Sequence, residues 1–198
     1  MTPAVFGRRT LDPQFYTVAE QRSTVGNQRR ARLFLTVGLA AYGIPCLVRP
    51  ESGRILDAVD LAIHETGHLV FAPFGEFLGF LGGTLFQLAL PVAFVVCFWK
   101  RADRHAATVA LWWVAQNCWN VSVYIRDART QALPLVGGGE HDWAYLLGRL
   151  GWLRYDYAIA LDVRLLGAAL YVYAIVAGFR YAWRMPSSDE PWAAADAA

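Results

Sequence analysis

Apolar residues cluster in five stretches, Leu33–Val48, Ile55–Phe74, Phe77–Trp99, Ala106–Ile125 and Leu165–Trp183, separated by short polar or charged breaks except for the long polar interval that begins at residue 126. The first, third and fourth contain no Asp, Glu, Lys or Arg. A bilayer hydrocarbon core of about 30 Å needs roughly 20 mostly apolar residues per helix. The pattern predicts an all-α, polytopic membrane helix bundle of four or five transmembrane helices. The count depends on whether Ile55–Phe74, the one stretch rich in titratable residues, spans or re-enters. On this division residues 1–32 are a polar, basic cytoplasmic tail and residues 33–184 a single membrane-embedded helical domain. Residues 185–198, rich in Pro, Ser, Asp, Glu and Ala, are expected to be a disordered tail.

Composition agrees with the pattern. The chain has 198 residues, 56% hydrophobic and only 17% charged, against about 25% charged in soluble domains. An ordinary soluble globule is excluded, and a net charge of +2 argues for no nucleic-acid partner. The expected surroundings are lipid, and oligomeric state is not legible. Cys46, Cys97 and Cys118 all lie in apolar stretches and read as small buried side chains. Basic residues crowd before Leu33, in the 100–104 turn and near Arg180. Counted by side, the basic residues of the chain place the N-terminus on the cytoplasmic side under either topology, although the 100–104 turn and the C-terminal end share that side only if Ile55–Phe74 re-enters. The expected location is the bacterial cytoplasmic (inner) membrane.

The stretch with chemistry reads Leu61-Ala62-Ile63-His64-Glu65-Thr66-Gly67-His68. On a helix, positions i and i+4 share a face, so His64 and His68 can offer ring nitrogens to one tetrahedral ion. Glu65 can hold and deprotonate a water there, which is the HExxH arrangement of a zinc hydrolase. Asp57 and Asp60 fall on the same face. Charged groups at mid-bilayer cost about 2.5–3.5 kcal/mol each on insertion scales. A face this polar calls for an ion, a partner helix or a water-filled cavity.

A third ligand has to come from elsewhere. Gln116, Asn120 and Asp127 form a polar stripe along Ala106–Ile125 and just past its end, which makes Asp127 the first choice. The rival is Glu140-His141-Asp142-Trp143, preceded by three glycines. There, His141 or Asp142 is an alternative ligand or substrate contact, and Asp142 equally reads as a first-turn acid of the helix that follows. Asp60, Gln87, Gln116 and Asn120 are candidates to orient a ligand or meet substrate. Gly82-Gly83 reads first as a helix-packing strip. His105, in a charged turn, reads as solvated or as an interface anchor.

His64-Glu65-Thr66-Gly67-His68 within an apolar helix resembles the HExGH motif of site-2-type intramembrane zinc metallopeptidases. Gly82-Gly83 through Pro91 is loosely similar to that family's glycine-containing stretch. The resemblance implies zinc on His64, His68 and a distant aspartate, Glu65 as acid/base, and membrane-protein substrates. It covers roughly residues 55–130 and is similar to compact members reduced to the membrane core. Asp127 lies in Tyr124-Ile125-Arg126-Asp127-Ala128-Arg129, not in the family's Asn-Pro…Asp-Gly context, and there is no PDZ-like insertion. The alternatives from the residues alone are a non-proteolytic metal-binding membrane protein, structural or sensing, and a haem or redox protein. Glu65 beside His64, and two histidines on one helix face, speak against haem.

Overall fold

The computed structural model describes residues 13–135 and 139–184, with side chains from Thr24 onward. The expected 185–198 tail, residues 1–12 and part of the glycine run at 137–139 lie outside the described residues. The described chain is helical throughout, with no strand: α1 (Pro13–Val48), α2 (Ile55–Phe71), α3 (Glu76–Lys100), α4 (Arg104–Arg126), α5 (Asp142–Arg149) and α6 (Asp156–Trp183).

Three segments are long and apolar enough to cross a membrane: Thr24–Val48, Glu76–Lys100 and Leu153–Trp183. The sequence expectation of four or five is met only this far. α2 has 17 residues, and α4 breaks its apolar run with Gln116, Asn117, Asn120 and Ser122. α1 also begins well before the first apolar stretch, because the polar residues from Pro13 continue its helix. The large apolar side chains left exposed lie mostly on α1, α3 and α6, for example Phe34, Ile44, Phe94, Leu165 and Val176. Such faces suit lipid rather than water.

α4 is the central element. It packs along α6 and α3 and also meets α1 and α5. Trp112, Ala115 and Trp119 of α4 form a core with Cys46 of α1 and with Tyr171 and Ala174 of α6. Trp119 donates its indole N–H to the carbonyl of Arg164 at 3.2 Å, which satisfies the one polar atom of a wholly buried ring. Asp103 starts α4 by accepting the Ala106 N–H at 3.1 Å, as an N-cap should. His105, read from sequence as solvated or as an interface anchor, is instead buried, 3% exposed. It lies 3.0 Å from Thr36 Oγ1 where α1 meets α4. Cys46 and Cys118 are buried and unpaired, and Cys97 is half-buried.

α2 and α3 form a tight hairpin. Pro73 sits in a single 3-10 turn, Ala72–Phe74, and Gly75 reverses the chain at φ 102°, a left-handed value that favours glycine. The hairpin closes to backbone contact because a Cβ at Gly82 would stand 2.8 Å from the Gly67 carbonyl oxygen. That approach brings the His64 face of α2 against α3.

Candidate metal centre

The first turn of α5 completes the histidine face of α2. His64 Nε2 lies 2.9 Å and His68 Nε2 3.2 Å from the same oxygen, Asp142 Oδ2. The three potential ligand atoms all lie within 4.8 Å of one another. His64 and Asp142 are 6% and 5% exposed. They sit on the wall of a cavity of about 770 Å³ between α2, α3, α4 and the segment leading into α5, with Glu65, His68 and Tyr124 also on that wall.

α5 is pinned where it stands. His141 caps it, its Nδ1 accepting the Ala144 N–H at 3.3 Å. Trp143 donates to Thr84 Oγ1 at 3.2 Å and Tyr145 to Glu76 Oε2 at 2.8 Å, while Tyr145 stacks on Phe80 at 4.1 Å between ring centres. All three partners belong to α3. The Asp142 N–H meets the Tyr124 hydroxyl oxygen at 3.3 Å, leaving that hydroxyl's own proton for the cavity. Burial opposes ionisation of Asp142, but the hydrogen bonds from His64 and His68 outweigh it and hold the carboxyl below its usual range.

Asp127 does not reach the histidines. Its Oδ1 accepts from Thr130 Oγ1 and from the Ala132 N–H (2.9 Å), and its Oδ2 accepts from the Leu133 N–H (2.9 Å). It organises the loop after α4. Burial works against its charge too, yet these donors prevail and depress its pKa. Its remaining contact is His141 Nε2, at 3.4 Å but too poorly aligned for a hydrogen bond. Burial keeps His141 below the usual imidazole range against the pull of Asp127 and Asp142. With Nδ1 committed to the α5 cap, His141 is no ligand in this arrangement. The residue that meets both histidines is thus Asp142, offered by the sequence beside His141 as the alternative, and not the first choice Asp127; it is first-turn acid and histidine partner at once.

The other predicted residues divide. Gln87 Oε1 lies 3.0 Å from His64 Nδ1, and its amide nitrogen donates to Asn120 Oδ1 at 2.9 Å, so neither end is left for substrate. Asn120 and Gln116 both donate to Asp57 Oδ1, at 3.3 and 3.1 Å. Asp60, expected to orient a histidine, instead accepts the Trp113 indole N–H at 2.9 Å. His68 is oriented by the Gly79 carbonyl, 2.8 Å from its Nδ1. Gly83 has a role beyond packing: a Cβ there would lie 2.5 Å from His64 Nε2. Tyr124 and Gly79 carried no sequence signal stronger than their place beside the polar stripe and in the glycine stretch. A backbone carbonyl as a partner leaves none at all.

The donor set suits a cation. Gly79's carbonyl can only accept, so neutral His68 carries its proton on Nδ1 and shows a lone pair at Nε2. If Gln87 turns its oxygen to His64, the same holds there. Two lone pairs and a carboxylate oxygen then converge, an arrangement stable only with a positive species among them. Two imidazoles and one carboxylate are also a ligand set that zinc accepts in open hydrolytic sites. Comparison with protein-family models, curated proteins and solved structures returns no match to the chain.

Proposed function

We propose that this protein is an intramembrane zinc metallopeptidase of the HExxH type, hydrolysing peptide bonds of membrane-embedded substrates. The observation that carries the reading is the convergence of His64, His68 and Asp142 on one point of a cavity wall that also bears Glu65. Zinc would be held by those three side chains, and when bound it would polarise a substrate carbonyl and make water acidic enough to attack near neutral pH. Glu65, next in sequence to a ligand and facing the cavity, takes the proton from the attacking water and returns it to the leaving amine nitrogen. The Tyr124 hydroxyl has its proton free to meet the substrate carbonyl oxygen. The apolar walls around Leu61, Phe80 and Val121 keep bulk water away from these groups and suit an apolar, locally unwound segment.

We read α2 and α4 as membrane-embedded alongside the three apolar helices, in a bacterial cytoplasmic membrane with the N-terminus inside. The arginines at 29, 30 and 32 support that orientation. The test uses the full chain in detergent or nanodiscs, co-expressed with a panel of single-span reporter substrates. Wild type should cleave a subset of them, and Glu65→Gln should retain zinc with cleavage at least about 100-fold slower, the usual weight of a general base. Unchanged cleavage by that variant contradicts the assignment of Glu65.

A further inference from the structure

The hydrogen bonds around His64 form a closed circuit through three helices, leaving α2 at Asp57 and returning to it at His64, seven positions on. Its direction can be worked out link by link. Asp57 Oδ2 accepts the Arg54 backbone N–H at 2.7 Å. Its Oδ1 faces the side-chain amides of Gln116 and Asn120, and a carboxylate oxygen can only accept. Asn120 must therefore turn its NH2 to Asp57, which leaves its carbonyl oxygen to accept from Gln87 Nε2. Gln87 in turn has only its carbonyl oxygen to offer His64, and His64 must donate to it from Nδ1. Amide orientation is assigned from the network, not seen directly. Here the network permits one assignment, because reversing Asn120 would set a carbonyl against a carboxylate.

We infer that Asp57, through Asn120 and Gln87, is a positioning residue that fixes a proton of His64 on Nδ1 and so leaves Nε2 as the nitrogen that meets Asp142 or a cation in its place. Asp57 touches none of the candidate ligands in this circuit; it acts through two amides on two other helices. The arrangement extends the familiar carboxylate–histidine–metal pairing by two amide links. It also explains why such polar groups are retained among apolar helices: Gln87 is 2% exposed, with both ends of its amide used. His68 reaches the same tautomer independently through Gly79. The inference rests on the proposed metal centre for its purpose, but the tautomer is a property of the chain itself.

The experiment is ¹⁵N NMR of histidine-labelled, metal-free full-length protein in nanodiscs, with His64 assigned by difference against His64→Gln. Zn²⁺ affinity is measured in parallel by chelator competition. In wild type, His64 Nδ1 should show the shift of a protonated nitrogen. Asp57→Leu frees the Asn120 amide to turn, and Gln87→Leu cuts the circuit. Both should lose the Nδ1 preference at His64, leave His68 unchanged, and weaken Zn²⁺ binding about 10- to 100-fold, as comparable second partners do. Asp57→Leu combined with Asn120→Asp again sets an acceptor-only group against Gln87 Nε2 and should recover both readouts. An unprotonated Nδ1 at His64 in wild type overturns the inference, as does a double variant no better than Asp57→Leu. If wild type shows the expected tautomer but binds no zinc, the metallopeptidase reading fails while the circuit stands.

Discussion

His64 Nε2 and Asp142 Oδ2 stand 2.9 Å apart across 78 positions of sequence. The pair joins a helix rich in buried polar groups to the first residue of an eight-residue helix that the chain reaches only after traversing α3 and α4. With His68 on the same oxygen, it makes a three-residue site from two elements whose placement is set by α3, the helix that carries Gln87, Gly79, Gly83 and the anchors of α5.

Gly83→Ala should disable this site with little effect elsewhere. The added methyl would sit 2.5 Å from His64 Nε2, well inside contact distance, and the ring would have to rotate away from Asp142. Zn²⁺ affinity by chelator competition should fall at least about tenfold, the scale on which misplacing a ligand costs affinity. The helical circular-dichroism spectrum should be unchanged. Wild-type affinity in this variant would contradict the placement of His64.

Asp127→Ala should destabilise without removing metal. It strips partners from Thr130 and from the N–H groups of Ala132 and Leu133, and a lost buried hydrogen-bond acceptor costs about 1–3 kcal/mol. The sign with pH follows from the depressed carboxyl. Its stabilisation is fully present above the unfolded aspartate pKa of about 3.9 and disappears as pH falls through the lower folded value. Thermal unfolding of wild type and variant should therefore differ at neutral pH and converge only in acid below the usual carboxylate range. A gap that persists unchanged below that range, or no gap at neutral pH, would contradict the loop role.

Trp143→Phe combined with Tyr145→Phe removes both hydrogen bonds from α5 to α3 while keeping the aromatic surface. Neutral hydrogen bonds of this kind contribute about 0.5–1.5 kcal/mol each, so Asp142 should be held less firmly. Zn²⁺ affinity should drop several-fold and the protease sensitivity of the 133–142 segment should rise. Neither change would mean that α5 is anchored by Phe80 and its apolar contacts alone.

Much of this molecule was legible in its sequence, for identifiable reasons. Spacing of four residues on a helix is a local property, so His64 and His68 sharing a face, with Glu65 adjacent, followed from geometry alone. Gln87 stood out because a polar side chain in an uncharged apolar run needs a partner. Asp142 was legible only as an alternative beside His141, because the choice depends on how α5 docks on α3 through Trp143 and Tyr145. Asp127 misled because its stripe continues only to the end of α4. One residue past Arg126 the helix stops, and the carboxylate turns back to cap its own loop. Only three of the expected spans are apolar enough by composition, because an absence of charge is not the same as apolarity. α4 has no charge between Ala106 and Ile125, but its buried amides serve the site.

The most direct measurement is zinc content per chain of the purified protein after dialysis, for wild type, Asp142→Ala and Asp127→Ala. The account expects one zinc per chain in wild type and in Asp127→Ala, and none in Asp142→Ala. Zinc retained by Asp142→Ala, or lost only from Asp127→Ala, would contradict the centre described here.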